Sequence, residues 1–417
     1  MKGKKKHVLV ISQYFYPEQF RINDICKEWV SRGYQVTVIT GIPNYPTGKF
    51  FKGYGVFKRR KDCLEGVRIF RLPIIPRGRN AITLVLNYLS FVIAGFFWKT
   101  FTKMKADCVF IFEVSPMTQA LPGIWFAKKR KVPCYLYVQD LWPENVEIVT
   151  GITNHKIIGG IGKMVDYIYK HCTHIFTTSN SFVTSIHQRG VPLEKLEYWP
   201  QYAEDFCQPF VEKADEGAEE NFIRSAEHFQ IMFTGNIGQA QGLDILLEVA
   251  KYLKANGLSQ KYRFVIIGDG RYKSTLQEKV QEADVELMFS FIPQQPGEDI
   301  PRLLATGDVA FLCLTDSPLF TMTIPAKLQT YLACGMPILA SVNGEAARIV
   351  VEAKAGMVSR PGNAKELADK IIQFSALHKD ELRKMGEHSR EYYEKHFDKD
   401  YLLRRMDIYL TGALKQG

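Results

Sequence analysis

The chain alternates short, continuously apolar runs with longer stretches whose apolar residues recur every three or four positions. Runs of the first kind fall at residues 8–12, 35–40, 67–72, 108–112, 134–138 and 174–178. They show no inside-outside alternation, which marks strands buried on both faces. Residues 23–31, closed by Gly33, are the first of the intervening amphipathic helices. From Ile231 the rhythm starts again, with strands predicted at 262–267, 287–291, 309–314 and 338–341. Such repetition predicts an α/β fold of two doubly wound, Rossmann-like parallel-sheet domains in series. The first is expected at residues 1–203 and the second at 204–396, with the charged stretch 212–220 as linker or exposed loop. A last helical pattern, 399–414 within residues 397–417, is expected to return to the first domain.

One segment departs from this rhythm. Residues 81–101 include Ile82, Leu84, Val85, Leu86, Leu89, Phe91, Val92, Ile93, Phe96, Phe97 and Trp98, nearly long enough to span a bilayer. Asn87, Tyr88 and Ser90 interrupt it, and Arg77, Arg79, Lys99, Lys103 and Lys105 flank both ends, against the pattern of a simple span. Three readings stand: a helix lying in the membrane interface or lining an acceptor site, a buried core helix, and a true span.

Charge favours the interfacial helix. The formal net charge of +10 is uneven, since the first 200 residues carry 29 Lys+Arg against 13 Asp+Glu and the remainder 25 against 31. The runs Lys58-Arg59-Arg60-Lys61 and Lys128-Lys129-Arg130-Lys131 add basic patches. An anionic membrane surface is the expected partner and nucleic acid is not, while a merely solvated basic face stays open. The eight cysteines form no CxxC pair and sit mostly in apolar runs, as free thiols in a reducing compartment do. The N-terminus enters a strand at once without a signal-peptide pattern, so a cytoplasmic chain, peripheral on the inner face of the plasma membrane, is expected.

The candidate chemistry centres on the second half. The run Phe229-Gln230-Ile231-Met232-Phe233-Thr234 breaks into Gly235-Asn236-Ile237-Gly238 and then a helical pattern from Leu243. A strand, glycine turn and helix lets backbone N–H groups approach an anionic diphosphate with no side chain in the way. Gly268-Asp269-Gly270 follows another strand, at a carboxyl end where α/β sheets bind ligands. Residues 323–340 read as a proline-started helix, a glycine cap, a proline stop and a buried strand. Lys327, in that helix's first turn, opposes the dipole, so it is there either to bind phosphate or as a solvated surface lysine.

Taken together, Gly235 to Gly238 with Gln241-Gly242-Leu243-Asp244, Gly268-Asp269-Gly270, Pro325-Ala326-Lys327-Leu328-Gln329 and Ala333-Cys334-Gly335-Met336-Pro337 resemble glycosyltransferase family 4, of GT-B fold. In the first half, Tyr14-Phe15-Tyr16-Pro17-Glu18, Pro43-Asn44-Tyr45-Pro46-Thr47-Gly48 and Val138-Gln139-Asp140-Leu141-Trp142-Pro143-Glu144 resemble a bacterial subgroup that builds O-antigen and capsule repeat units. That subgroup includes N-acetyl-L-fucosamine transferases, and the likeness covers nearly the whole chain. It implies a retaining hexosyl or N-acetylaminosugar transferase with no metal and no other cofactor. The implied donor is a UDP-sugar, bound between two domains, and the implied acceptor is a polyprenyl-diphosphate-linked saccharide. The sequence agrees on the metal, having no DxD pair or His/Cys ligand cluster at a strand end.

By the resemblance, the donor meets Gly235, Asn236, Ile237, Gly238, Gln241, Gly268, Gly270, Lys327, Leu328, Gln329 and Thr330, with its base near Gln294 or Gln295. The chain departs from the family at several of these places. Asn236 and Gln241 stand where relatives carry Arg and Lys, Met322 and Thr330 where many carry glutamates, and Gln139 where a histidine is frequent. Lys327 or Arg21 must then supply positive charge to the leaving diphosphate. For the transfer, Asp140 is expected beside the transferred sugar and Glu18 on the acceptor side, a donor phosphate oxygen being the alternative base. Asp140 can also cap a helix beginning near Pro143. Arg21, Asn23 and Glu144 are further acceptor candidates, and Asn44 and Tyr45 are either acceptor contacts or loop structure. Two competing functions remain open, a GT-B nucleotide-sugar epimerase and a non-catalytic nucleotide-sugar-binding subunit of an assembly complex.

Overall fold

Val8, Leu9, Val10 and Ile11 have no solvent exposure, because their strand lies near the middle of a sheet covered on both faces. The computed structural model describes residues 5–78, 80–146, 151–210 and 227–412. The stretch 212–220, Arg79 and the end of the last helical pattern beyond 412 lie outside them. The chain divides into two units, Met1–Trp199 with Arg404–Gly417, and Pro200–Leu403.

The first unit carries β1 (His7–Ile11), β2 (Gln35–Thr40), β3 (Lys61–Leu64), β4 (Val67–Arg71), β5 (Cys108–Glu113), β6 (Cys134–Val138), β7 (His174–Thr177) and β8 (Leu196–Tyr198). They pair in the order β3-β4-β2-β1-β5-β6-β7-β8. All pairs are parallel except β3 with β4. That hairpin turns through Glu65 and Gly66, both at positive φ, as a tight two-residue turn requires. It also absorbs much of the first basic run. Arg59 pairs with Asp62 at 3.0 Å, Arg60 bonds the carbonyl of Val56 at 3.1 Å, and Lys61 begins β3 itself. This run thus belongs to the hairpin and the loop before it, with Lys58, Arg59 and Lys61 exposed.

The helices of this unit are α1 (Arg21–Ser31), α2 (Ala81–Phe101), α3 (Ala120–Arg130), α4 (His155–His171) and α5 (Asn180–Gln188). Helix α2 is long and apolar enough to cross a membrane, with mean hydropathy 1.8. One stripe of it packs inward through Leu84, Asn87, Tyr88, Phe91 and Gly95. The buried Asn87 accepts from Gln13 Nε2 at 2.8 Å and donates to the Ile75 carbonyl at 2.6 Å. The opposite stripe, Ile82, Leu86, Leu89, Ile93 and Phe97, stands in solvent. The spacing of both stripes is helical, so α2 is half core helix and half exposed apolar face. Lys129 donates to the carbonyls of Lys99 and Thr100, and Arg130 to that of Thr102. These two members of the second basic run thus cap the carbonyl end of α2, where cations belong.

In the second unit β9 (Phe229–Thr234), β10 (Tyr262–Ile267), β11 (Phe289–Ile292), β12 (Val309–Cys313), β13 (Ile338–Ser341) and β14 (Gly356–Ser359) form a parallel sheet ordered β11-β10-β9-β12-β13-β14. Around it lie α6 (Ile245–Ala255), α7 (Lys273–Glu282), α8 (Ile300–Ala305), α9 (Pro318–Thr321), α10 (Ala326–Ala333), α11 (Gly344–Glu352), α12 (Ala364–Ala376) and α13 (Lys379–His396). The last helix, α14 (Lys399–Thr411), counts with the first unit from Arg404 onward. There Arg405 and Tyr409 bond Glu197, and Asp407 accepts from Tyr34 Oη at 2.9 Å and Arg32 at 3.2 Å.

Candidate functional site

At the carboxyl ends of β9 and β10 two glycine loops lie on one another. Gly235 N–H donates to the Ile267 carbonyl at 2.9 Å, and Ile237 N–H to that of Asp269 at 2.8 Å. A Cβ on Gly268 would stand 2.0 Å from the Gly235 oxygen, and one on Gly270 2.2 Å from the Ile237 oxygen. Gly268 and Gly270 are thus glycines because the loops touch there. Ile237 is fully buried and anchors the loop, whereas Gly235 and Asn236 are exposed. The helix does not follow directly. A 3-10 turn, Gln239–Gln241, begins at Gly238, and Gly242 at φ +66° intervenes before α6.

Two helix N-termini therefore compete for an anion, and their first turns differ. Helix α6 has Asp244 at its cap and Glu248 in its first turn, with Asp244 already bonded to Tyr272 and Lys279. Helix α10 has no acidic residue in its first turn. An incoming anion meets acids already paired with lysines at the first and no acid at the second. Lys327 of α10 bends towards the glycine turn, so that a Cβ on Gly235 would lie 3.7 Å from its Nζ. The ammonium donates to Gln241 Oε1 and stands 4.6 Å from the centre of the Phe233 ring. Desolvation pushes its pKa down to about 8, the neighbouring Cys313 opposing only in part. Tyr331, one helical turn on, accepts from Thr234 N–H at 3.1 Å and fixes α10 against β9.

The other donor candidates divide. Leu328 has no exposure and Gln329 2%, so the first belongs to the core and the second lies beneath the surface. Thr330 Oγ1 bonds back to the Ala326 carbonyl at 3.3 Å. Gln294 is exposed and Gln295 partly so, its amide bonded to the Pro293 carbonyl at 3.1 Å. Among the described residues no group of three His, Cys, Asp or Glu is placed to hold a metal ion.

In the first unit, Glu18 is 3% exposed and its oxygens accept from the N–H groups of Asn44 and Tyr45, each at 2.7 Å, and of Phe15 at 3.3 Å. It ties the loop after β1 to the loop after β2. Burial still outweighs these bonds and lifts its pKa to about 7. Asn23 completes the tie, donating to the Glu18 carbonyl at 2.7 Å and accepting from Tyr16 N–H at 3.2 Å. Asn44 is wholly buried, with its amide on the Ile42 carbonyl at 2.9 Å, while Tyr45 keeps 39% exposure. Asp140 Oδ2 accepts from Ser115 N–H at 2.7 Å, so it caps the loop after β5 rather than a helix near Pro143. Glu144 is exposed and Arg21 partly buried.

Three residues were not among the site candidates of the sequence. Glu113, at the end of β5, is fully buried, and burial with the Asp140 charge pushes its carboxyl pKa up against the lowering effect of the Asp140 and Gln139 backbone N–H groups. Arg77 and Tyr88 stand by Tyr14, Tyr45 and Asp140. No motif marked them, because Arg77 lies in an irregular segment and Tyr88 in an apolar helix.

Two family models match the chain, "Glycosyl transferase 4-like domain" over residues 19–201 and "Glycosyl transferases group 1" over residues 218–392. The Escherichia coli K12 protein named as colanic acid biosynthesis glycosyl transferase WcaI is 26% identical over 318 residues, 74% of this chain and 75% of its own. Among solved structures, a sucrose-phosphate synthase from Thermosynechococcus elongatus superposes with a TM-score of 0.74 at 15% identity, covering 99% of this chain and 100% of that one. HepE of Anabaena, solved with UDP-glucose, does so with a TM-score of 0.68 at 14% identity, over 97% of this chain and 99% of its own. With its two halves matched in turn by these models and its fold shared end to end, the chain belongs to the family 4 glycosyltransferases of GT-B fold.

Proposed function

We propose that this glycosyltransferase moves a sugar, with retention and without a metal, from a UDP-sugar to a polyprenyl-diphosphate-linked saccharide in polysaccharide repeat-unit assembly. The observation that carries the donor half is Lys327, an ammonium held by a neutral amide next to a glycine turn, on a helix start free of acids. A leaving diphosphate gains there a cation and the positive end of a helix, which lowers the barrier to its departure. The WcaI likeness and the UDP-glucose bound to HepE support the polysaccharide and UDP parts of the reading. On the acceptor side, the outward apolar stripe of α2 supports a peripheral place on the cytoplasmic face of the plasma membrane. Asp140 is the carboxylate we assign beside the transferred sugar, and Glu18 is a positioning residue.

A panel of UDP-sugars offered with short polyprenyl-diphosphate saccharides, read by product mass, tests the reading. Transfer that fails in Lys327→Met supports it; donor binding without turnover on any lipid acceptor overturns it. That second outcome would favour a non-catalytic nucleotide-sugar-binding subunit, which Met322 and Thr330 at positions often held by glutamates keep in contention.

A further inference from the structure

Arg77 sits just before α2, in the first unit, and its backbone N–H donates to Asn44 Oδ1 at 2.8 Å. Its guanidinium lies 5.3 Å from the centre of the Tyr45 ring. Among the described residues it has no carboxylate partner, unlike Arg59 and Arg71, which share Asp62. Two tyrosines stand around it. Tyr14 is 1% and Tyr88 5% exposed, and neither hydroxyl has a hydrogen-bond partner. The Arg77 charge acts on both, approaching Tyr14 Oη without forming a well-aligned hydrogen bond. The Asp140 charge also acts on Tyr88.

Buried hydroxyls without partners are costly, and two of them around one unpaired cation favour no packing purpose. A guanidinium fork and two O–H donors are together the donor set that phosphate oxygens take up. We propose that Arg77, Tyr14 and Tyr88 form an anion subsite for the diphosphate of an amphiphilic acceptor. This rests on the lipid-linked acceptor of the reading above. The amphiphile is argued from α2, which presents Tyr88 to the subsite and its apolar stripe, starting at Ile82, to solvent. A diphosphate whose hydrocarbon tail follows that stripe meets Arg77 at the foot of the same helix.

The test is calorimetric titration of the full chain with geranyl diphosphate, with inorganic pyrophosphate and, separately, with UDP. Arg77→Met should weaken geranyl diphosphate at least tenfold and leave UDP unchanged, with Arg77→Lys in between. Tyr88→Phe removes only an unpartnered hydroxyl, so it should melt no lower than the parent while losing about threefold in geranyl diphosphate affinity. A residue there for packing alone would not show that opposition. Unchanged geranyl diphosphate binding in both variants overturns the subsite. Pyrophosphate binding as tightly as geranyl diphosphate overturns the amphiphilic acceptor. Failure of UDP to bind the parent chain counts against the donor reading alone, since the geranyl diphosphate titration does not depend on it.

Discussion

Lys327 donates a hydrogen bond to the side-chain oxygen of Gln241, 86 positions earlier in the chain. The pairing is electrically incomplete, because a neutral amide cannot balance an ammonium. A diphosphate can, and a charge-assisted bond of that kind contributes about 1.5–3 kcal/mol. Lys327→Met should therefore weaken UDP binding roughly 10- to 100-fold while the fold stays intact, as titration calorimetry with circular dichroism would record.

The same lysine predicts a pH dependence of binding. Its pKa is lowered to about 8 in the free protein, and a bound diphosphate raises it again. Below pH 8 the free protein already holds the proton and the affinity for UDP is insensitive to this group. Above pH 8 binding must take up a proton, so affinity falls by up to about tenfold per unit. Calorimetry between pH 7 and 9.5, in buffers of differing ionisation enthalpy, should show proton uptake appearing above pH 8 and absent in Lys327→Met.

Gly268 and Gly257 separate two meanings of glycine. Both have positive φ, +146° and +71°, but an added Cβ meets the Gly235 oxygen at 2.0 Å in the first case and nothing within 4 Å in the second. Gly257→Ala should cost about 1–2 kcal/mol, the ordinary penalty of the left-handed region. Gly268→Ala must also part the two glycine loops, so it should cost roughly 3 kcal/mol or more. Urea denaturation of the two variants compares them directly, and Gly268→Ala alone should lose UDP affinity.

Much of this was legible in the sequence because parallel strands buried on both faces leave long apolar runs, and these gave most of both sheets. The strands that escaped are at or near sheet edges. β3 alternates exposed and half-buried residues, and β8 and β14 are short, so neither pattern stands out from loop. At the donor site the glycines and Lys327 could be read because they are local motifs. The acid-free start of α10 became meaningful only beside the acidic start of α6, a comparison between elements far apart in sequence. Glu18 was visible as a carboxylate on a loop, but its three backbone partners depend on how a second loop folds over it.

Burial, outweighing those partners, gives Glu18 a stability signature of its own. Its folded pKa is raised from 4.5 to about 7, so the folded chain keeps a proton that the unfolded chain releases. The stabilisation is fully present below pH 4.5 and is lost as pH rises to 7, a swing of roughly 3 kcal/mol. Glu18→Gln cannot titrate. The stability of the parent chain relative to that variant, from urea melts at pH 4.5 to 8, should fall across this window and level off above it.

The two faces of α2 make the membrane reading testable without disturbing the unit it packs on. Leu89 and Phe97 are 48% and 56% exposed on the outer stripe, whereas Gly95 faces inward, where a Cβ would meet Pro122 at 2.3 Å. Removing outer residues takes little from the core, so Leu89→Ser with Phe97→Ser should leave the melting temperature nearly unchanged. If that stripe lies in a bilayer interface, each side chain contributes about 1.5–3 kcal/mol when buried there, and the double variant should lose at least tenfold in binding to vesicles containing anionic lipid. Gly95→Leu should do the reverse, lowering the melting temperature through the clash with Pro122. Equal sedimentation of the parent and the double serine variant with such vesicles would remove α2 from the membrane contact.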